Sequence, residues 1–159
     1  MYSALAVANA FLELARKEKA TITPLKMQKL LYFAQGWSLK LRDRALFEDA
    51  VVAWRHGPVI PIVYQAFRSR GSGSITEPIT HTPYWQEPVR NDIDGESLEL
   101  IKQVWDAYKH LSAIEISTLS HENGHPWEAI KQEYGDDLEE KNPIISQDEL
   151  KEAFHKLFD

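Results

Sequence analysis

Apolar residues at Leu5, Ala8, Phe11, Leu12 and Ala15 recur with a helical period, with polar residues between them. The pattern predicts a helix over 4–17, closed by the charged run Lys17-Glu18-Lys19. Thr23-Pro24 opens a second helix: a hydroxyl cap followed by proline at the first helical position. That helix, over 24–40, is expected to bury Met27, Leu30, Leu31, Phe33, Ala34 and Trp37. Residues 46–54 change character. β-branched residues and imperfect alternation predict a short strand, broken by Gly57-Pro58.

Pro61 opens a helix to about Arg70, with Val63, Tyr64 and Phe67 on one side. Prolines and glycines then punctuate an irregular stretch at about 71–95, with a short extended piece at 75–79. A loop of that length in a compact domain is functional or partly mobile. Helical spacing returns over 96–110, with Leu98, Ile101, Val104, Trp105 and Tyr108 on one face. Ser112 with Glu115 forms a capping-box pattern ahead of Ile114, Ile116 and Leu119. Pro126 opens a short helix to Tyr134. Ser146 with Glu149 starts a last one carrying Leu150, Phe154 and Leu157. The expected architecture is mainly α: one multi-helix domain over 1–159, with six or seven helices and one or two short strands. The alternative is an α+β domain with a small antiparallel sheet.

Composition changes this little. The 159 residues are 43% hydrophobic and 26% charged, enough to bury a core. No apolar run is long enough for a membrane span, and no signal peptide is evident, so a cytoplasmic protein is expected. The absence of cysteine removes disulfides, thiolate metal sites and a Cys nucleophile. A net charge of −6 argues against a face built for nucleic-acid phosphates and suits a basic partner.

One motif invites a metal. His121-Glu122-Asn123-Gly124-His125 matches the zincin pattern, in which two histidines one helical turn apart hold zinc and the glutamate polarises water. The pattern needs a continuous helix. Asn123-Gly124 is a turn pair, and Pro126 pushes His125 out of the α region. The favoured reading is a helix ending near His121 or Glu122, with a semi-buried His121 bonded to backbone or to a neighbouring loop, and with no metal and no cofactor. A zinc hydrolase using His121, Glu122 and His125 stands as the alternative. A helix-turn-helix is a second rival, because Lys26 and Lys29 lie near the start of the second helix. That helix is too apolar for base-edge recognition. No Gly-x-Ser-x-Gly elbow or phosphate loop occurs. Of the tryptophans, Trp37, Trp54, Trp105 and Trp127 are expected in the core, and Trp85, in the proline-rich loop, at an exposed contact.

Three blocks carry a resemblance. They are Ile22–Trp37, then Ala53–Pro61 with Val63, Tyr64 and Phe67, then Leu119-Ser120-His121 with Pro126-Trp127. Over roughly residues 5–130 the chain resembles the Panacea domain family, which includes SocA-like antitoxins and phage-associated GepA-like proteins. The resemblance implies a mostly helical, non-enzymatic antitoxin that neutralises a cognate toxin, encoded by the adjacent gene, through direct contact. Some members resemble adaptors that hand the toxin to an ATP-dependent protease. A phage accessory protein without a toxin is a further alternative. The resemblance places His121, Pro126 and Trp127 together as a structural motif, to which Trp37 and Trp54 are added as expected core residues. With the helix and the Trp54–Pro61 turn read as a rigid platform, partner contacts are expected at Tyr32, Arg55, His56, Gly57, Pro58 and Tyr64, joined by Trp85. His56 and the 72–95 loop depart from similar sequences, and the loop is where toxin choice is expected.

Overall fold

The computed structural model describes residues 1–159, apart from the side chain of Arg70. In chain order the elements are α1 (Ala4–Lys17), α2 (Pro24–Arg42), β1 (Val51–Trp54), β2 (Gly57–Val59) and α3 (Pro61–Phe67). They continue as α4 (Gly95–Tyr108), α5 (Ala113–Ser120), α6 (Pro126–Tyr134), α7 (Leu138–Lys141), β3 (Ile144–Ile145) and α8 (Gln147–Leu157). The domain is mainly α with a three-stranded antiparallel sheet of order β2-β1-β3.

Helix α2 is the axle. It packs against α1, α3, α4, α5, α8 and β2. Thr23 caps it by accepting from the Lys26 backbone N–H, and Pro24 occupies its first turn. A helix covered on every side is usually apolar all round. This one buries Lys26, Gln28, Lys29, Gln35 and Ser38 as well, and each bonds to backbone outside α2. Gln35 is the clearest case. Its carbonyl accepts from the N–H groups of Leu46 (2.8 Å) and Phe47 (3.2 Å), and its amide donates to Phe47 O (2.9 Å). Each glutamine amide stands in for a strand neighbour along part of its segment, and the segment at Gln35 also bonds to Tyr2, through Leu46 O and Glu48 N–H. Gly36 provides the docking site for α8: a Cβ there would sit 2.2 Å from the Phe154 ring.

Several boundaries differ from the expectation. The break at Gly57-Pro58 is itself a strand. Pro58 pairs with Ala53 on a sheet edge, where a missing N–H breaks no ladder. Strand β3 and the single turn α7 lie where no helix or strand was expected; two residues are too few to show a period. The extended piece expected at 75–79 joins no strand: Ile75 N–H donates to Ile22 O (2.8 Å), and the backbone of Ile79 bonds to the side chain of Asn9 (2.8 and 2.9 Å). Leu98 and Ile114 are exposed, not on the core face. The Ser112–Glu115 capping box forms in full. At Ser146 the hydroxyl caps Glu149 N–H, but the Glu149 carboxylate accepts from that hydroxyl and not from backbone. Among the described residues, no helix is long and apolar enough to cross a membrane.

Candidate functional site

The β1–β2 hairpin and the extended residue after it are held from one side by four side chains. The carbonyl of Trp54 accepts from Trp127 Nε1 (2.6 Å), and that of His56 accepts from His121 Nε2 (2.9 Å). The carbonyl of Pro58 accepts from Lys29 Nζ (3.2 Å), and that of Ile60 from Gln28 Nε2 (3.2 Å). Gln28 Oε1 also accepts the Ile60 N–H (2.8 Å). The carbonyls of residues 54, 56, 58 and 60 are thus held on both sides of the Arg55-His56 turn. The anchors come from two blocks far apart in sequence: Gln28 and Lys29 on α2, and His121 and Trp127 at the facing ends of α5 and α6.

Gly57 sits at the centre of this cradle. Its φ is +121°, and a Cβ would lie 2.5 Å from Lys29 Nζ and 2.8 Å from His121 Nε2. Only glycine lets the turn settle onto both groups. The His121 ring also meets the Trp127 indole edge-on, centroids 4.3 Å apart. Burial first, then the nearby Lys29 charge, hold the His121 pKa below its usual value. Lys29 is 1% exposed, and burial lowers its pKa to about 8. Pro58 O is its one hydrogen-bond partner among the described residues.

On the outer side of the hairpin lies a groove of about 720 Å³. Leu25, Lys29, Trp54, Val59, Val63 and Tyr64 form much of its wall, with Arg55, His56 and Arg68 also on it. Leu25 is 42% and Tyr64 45% exposed, so two large apolar side chains open onto it. Trp54 is fixed there by an edge contact with Tyr64 (5.0 Å) and by its Nε1, which donates to Asn142 Oδ1 (2.5 Å).

The expected contact residues divide. Arg55, His56 and Tyr64 are exposed on the groove. Gly57 and Pro58 are buried in the hairpin, so they shape the surface from beneath. Tyr32 corrects the expectation most clearly. It is fully buried and its hydroxyl bonds to His125 Nδ1 (2.8 Å), so it faces the core and no partner. Burial raises its pKa. Trp85 is 81% exposed but lies away from the groove. It sits with exposed Tyr84 at the tip of a small arm closed by Val89 N–H to Thr80 O (2.9 Å) and Thr82 N–H to Glu87 O (2.8 Å).

Of the motif residues, Trp127 is buried, while Trp37 and Trp54 are half-buried and so less enclosed than the core positions expected. Trp37 donates to the Tyr108 hydroxyl (2.9 Å). Pro126 opens α6. His121 ends α5 and His125 precedes α6, so the two histidines lie on different elements. His121 turns to the hairpin, His125 is buried against Tyr32, and Glu122 is exposed. The shared helical face that a zincin requires does not form, and among the described residues no three His, Cys, Asp or Glu side chains converge on a metal-sized site. Burial depresses the His125 pKa to about 4.

Sequence reasoning missed Lys29 and Gln28 as anchors. Their signal was present in the polar residues of a helix whose other face was already apolar, but the partners are backbone groups about thirty residues on.

The comparisons with known proteins agree with these blocks. The model of the antitoxin SocA-like Panacea domain matches residues 27–128, from just inside α2 to the first turn of α6. The antitoxin SocA of Caulobacter vibrioides is 32% identical over 147 residues, an alignment covering 85% of this chain and 73% of that protein. No solved structure matches. The segment that supplies all four hairpin anchors is therefore the segment the family model spans, and the chain belongs to the SocA-like Panacea family.

Proposed function

We propose that this protein is an antitoxin that neutralises a cognate toxin by binding it directly through the groove beside the β1–β2 hairpin. The toxin is the product of the adjacent gene, and the encounter takes place in the cytoplasm. The observation that carries the reading is the pairing of an open apolar groove with a rigid wall. Leu25, Tyr64 and Trp54 offer contact area, and the four side-chain bonds to residues 54–60 fix the hairpin before any partner arrives. Preorganisation of this kind reduces the entropy lost on binding. Aromatic anchors at the centre of a patch are what protein interfaces use.

The reading is non-enzymatic. The two histidines of the zinc-like motif are engaged in holding the fold: His121 by the His56 carbonyl, His125 by Tyr32. The similarity to an antitoxin supports the same conclusion.

Co-expression with the neighbouring gene product tests this. The wild-type protein restores growth and co-purifies with the toxin. Tyr64→Asp and Leu25→Asp, both at exposed positions, keep the melting temperature and lose both properties. Toxin abundance measured in the same cells separates sequestration, in which it is unchanged, from delivery to an ATP-dependent protease, in which it falls. Variants that still neutralise would overturn the groove as the toxin-binding surface.

A further inference from the structure

The lining of the groove is cationic on an acidic chain. The chain carries a net charge of −6, yet the groove is lined by Lys29, Arg55 and Arg68 against the single acid Glu139. Away from it, Arg16, Lys40, Lys109 and Lys151 are matched to Glu13, Asp159, Glu18 and Asp43, while Lys17, Lys19, Arg90, Lys131 and Lys141 have no carboxylate partner among the described residues. Among the described residues, none of the three groove cations has a carboxylate partner. Arg68 bonds only to the amide oxygen of Gln65 (3.3 Å), and Lys29 spends one of its three N–H donors on Pro58 O. A buried ammonium without a counter-charge is unfavourable for the free protein and favourable for any carboxylate that reaches it.

We infer that the groove receives an acidic–apolar segment of the partner protein, whose apolar side chains lie on Leu25, Trp54 and Tyr64 and whose carboxylates pair with Lys29, Arg55 and Arg68. This rests on the groove being the toxin-binding surface. Three separate cations call for several carboxylates along a segment, which internal Asp and Glu side chains supply and a lone chain terminus does not. The aliphatic wall of Leu25, Val59 and Val63 and the acidic charge of the whole chain favour a protein segment over a nucleic-acid strand.

The experiment is calorimetric titration of the toxin into the wild-type protein and into Lys29→Met, Lys29→Gln, Arg55→Gln and Tyr64→Asp, at low and high salt. Melting temperatures confirm folding. Both Lys29 variants are expected to weaken binding at least tenfold and Arg55→Gln a few-fold, each with a shallower salt dependence than wild type. In the complex, the Lys29 13Cε resonance should titrate at higher pH than in the free protein. Unchanged affinity in the Lys29 variants, with Tyr64→Asp abolishing binding, overturns the acidic-segment inference and leaves the groove reading intact. Unchanged affinity in all four overturns both. A second arm uses blocked 12-residue peptides tiling the toxin. Competing peptides rich in Asp or Glu support the inference; competition only by neutral or basic peptides, or by a dT oligonucleotide, overturns it.

Discussion

The Lys29 ammonium donates to the carbonyl oxygen of Pro58 across 3.2 Å, inside the domain and with no carboxylate beside it. The position helps to fix the hairpin and is poor for stability. Burial lowers the folded pKa to about 8 from the ordinary lysine value of 10.5, so at neutral pH the charged amine lies in a site that disfavours charge.

The sign of the pH dependence follows. A depressed pKa gives a contribution present above the unfolded pKa and lost as pH falls towards the folded one. Stability is expected to rise from pH 8 towards pH 10 by up to about 3 kcal/mol, and Lys29→Met should flatten that rise. At pH 7 the Met variant is expected to be more stable by about 1–2 kcal/mol, less than the full desolvation term because Pro58 O loses its donor. Urea unfolding across this pH range is the check. Destabilisation by Lys29→Met at neutral pH would mean that the bond outweighs the buried charge.

Gly57→Ala places a Cβ 2.5 Å from Lys29 Nζ and 2.8 Å from His121 Nε2, at a φ of +121°. Backbone strain and displacement of two anchors act together. The expected loss is about 2–4 kcal/mol, read as a lower urea midpoint with an unchanged slope.

Gln35→Leu preserves side-chain size and removes the partner of three backbone groups at Leu46 and Phe47. Both residues are buried, so water does not replace the amide. A loss of about 2–5 kcal/mol is expected. Hydrogen exchange should locate it in the 45–48 segment, whose amide protection falls first.

His125 governs the acid side. Its folded pKa of about 4, against the ordinary histidine value of 6.5, means that its contribution is complete above pH 6.5 and declines as pH falls towards 4. About 3 kcal/mol is lost over that window, with uptake of one proton on unfolding. His125→Gln should remove most of this slope. A variant with the wild-type acid profile would assign the slope elsewhere.

Local signals were the legible ones. Thr23-Pro24, Ser112 with Glu115, and Pro126 each declare a helix start within four residues, and each start is where the sequence places it. The break in the His121–His125 motif was legible for the same reason: Asn-Gly and a following proline are local facts. The cradle was not. Gln28, Lys29 and Gln35 reach backbone groups 11 to 32 residues away, and a backbone carbonyl leaves no mark on the sequence. Tyr32 was misplaced because an aromatic beside apolar neighbours suits a core and an interface equally. Its partner His125 lies 93 residues on. Arg55, His56 and Tyr64, named in sequence as contacts, lie exposed on the groove, whereas Leu25 and Arg68 join its wall only through the packing of α2 beside the segment that follows β2.

Hydrogen–deuterium exchange of the protein alone and in complex with its toxin addresses the groove most directly. Slower exchange is expected across residues 54–71 and the first turn of α2, with α6 and α8 unchanged. Protection confined to the arm bearing Tyr84 and Trp85, or to α6 and α8, with residues 54–71 exchanging as in the free protein, would contradict the groove as the site of neutralisation.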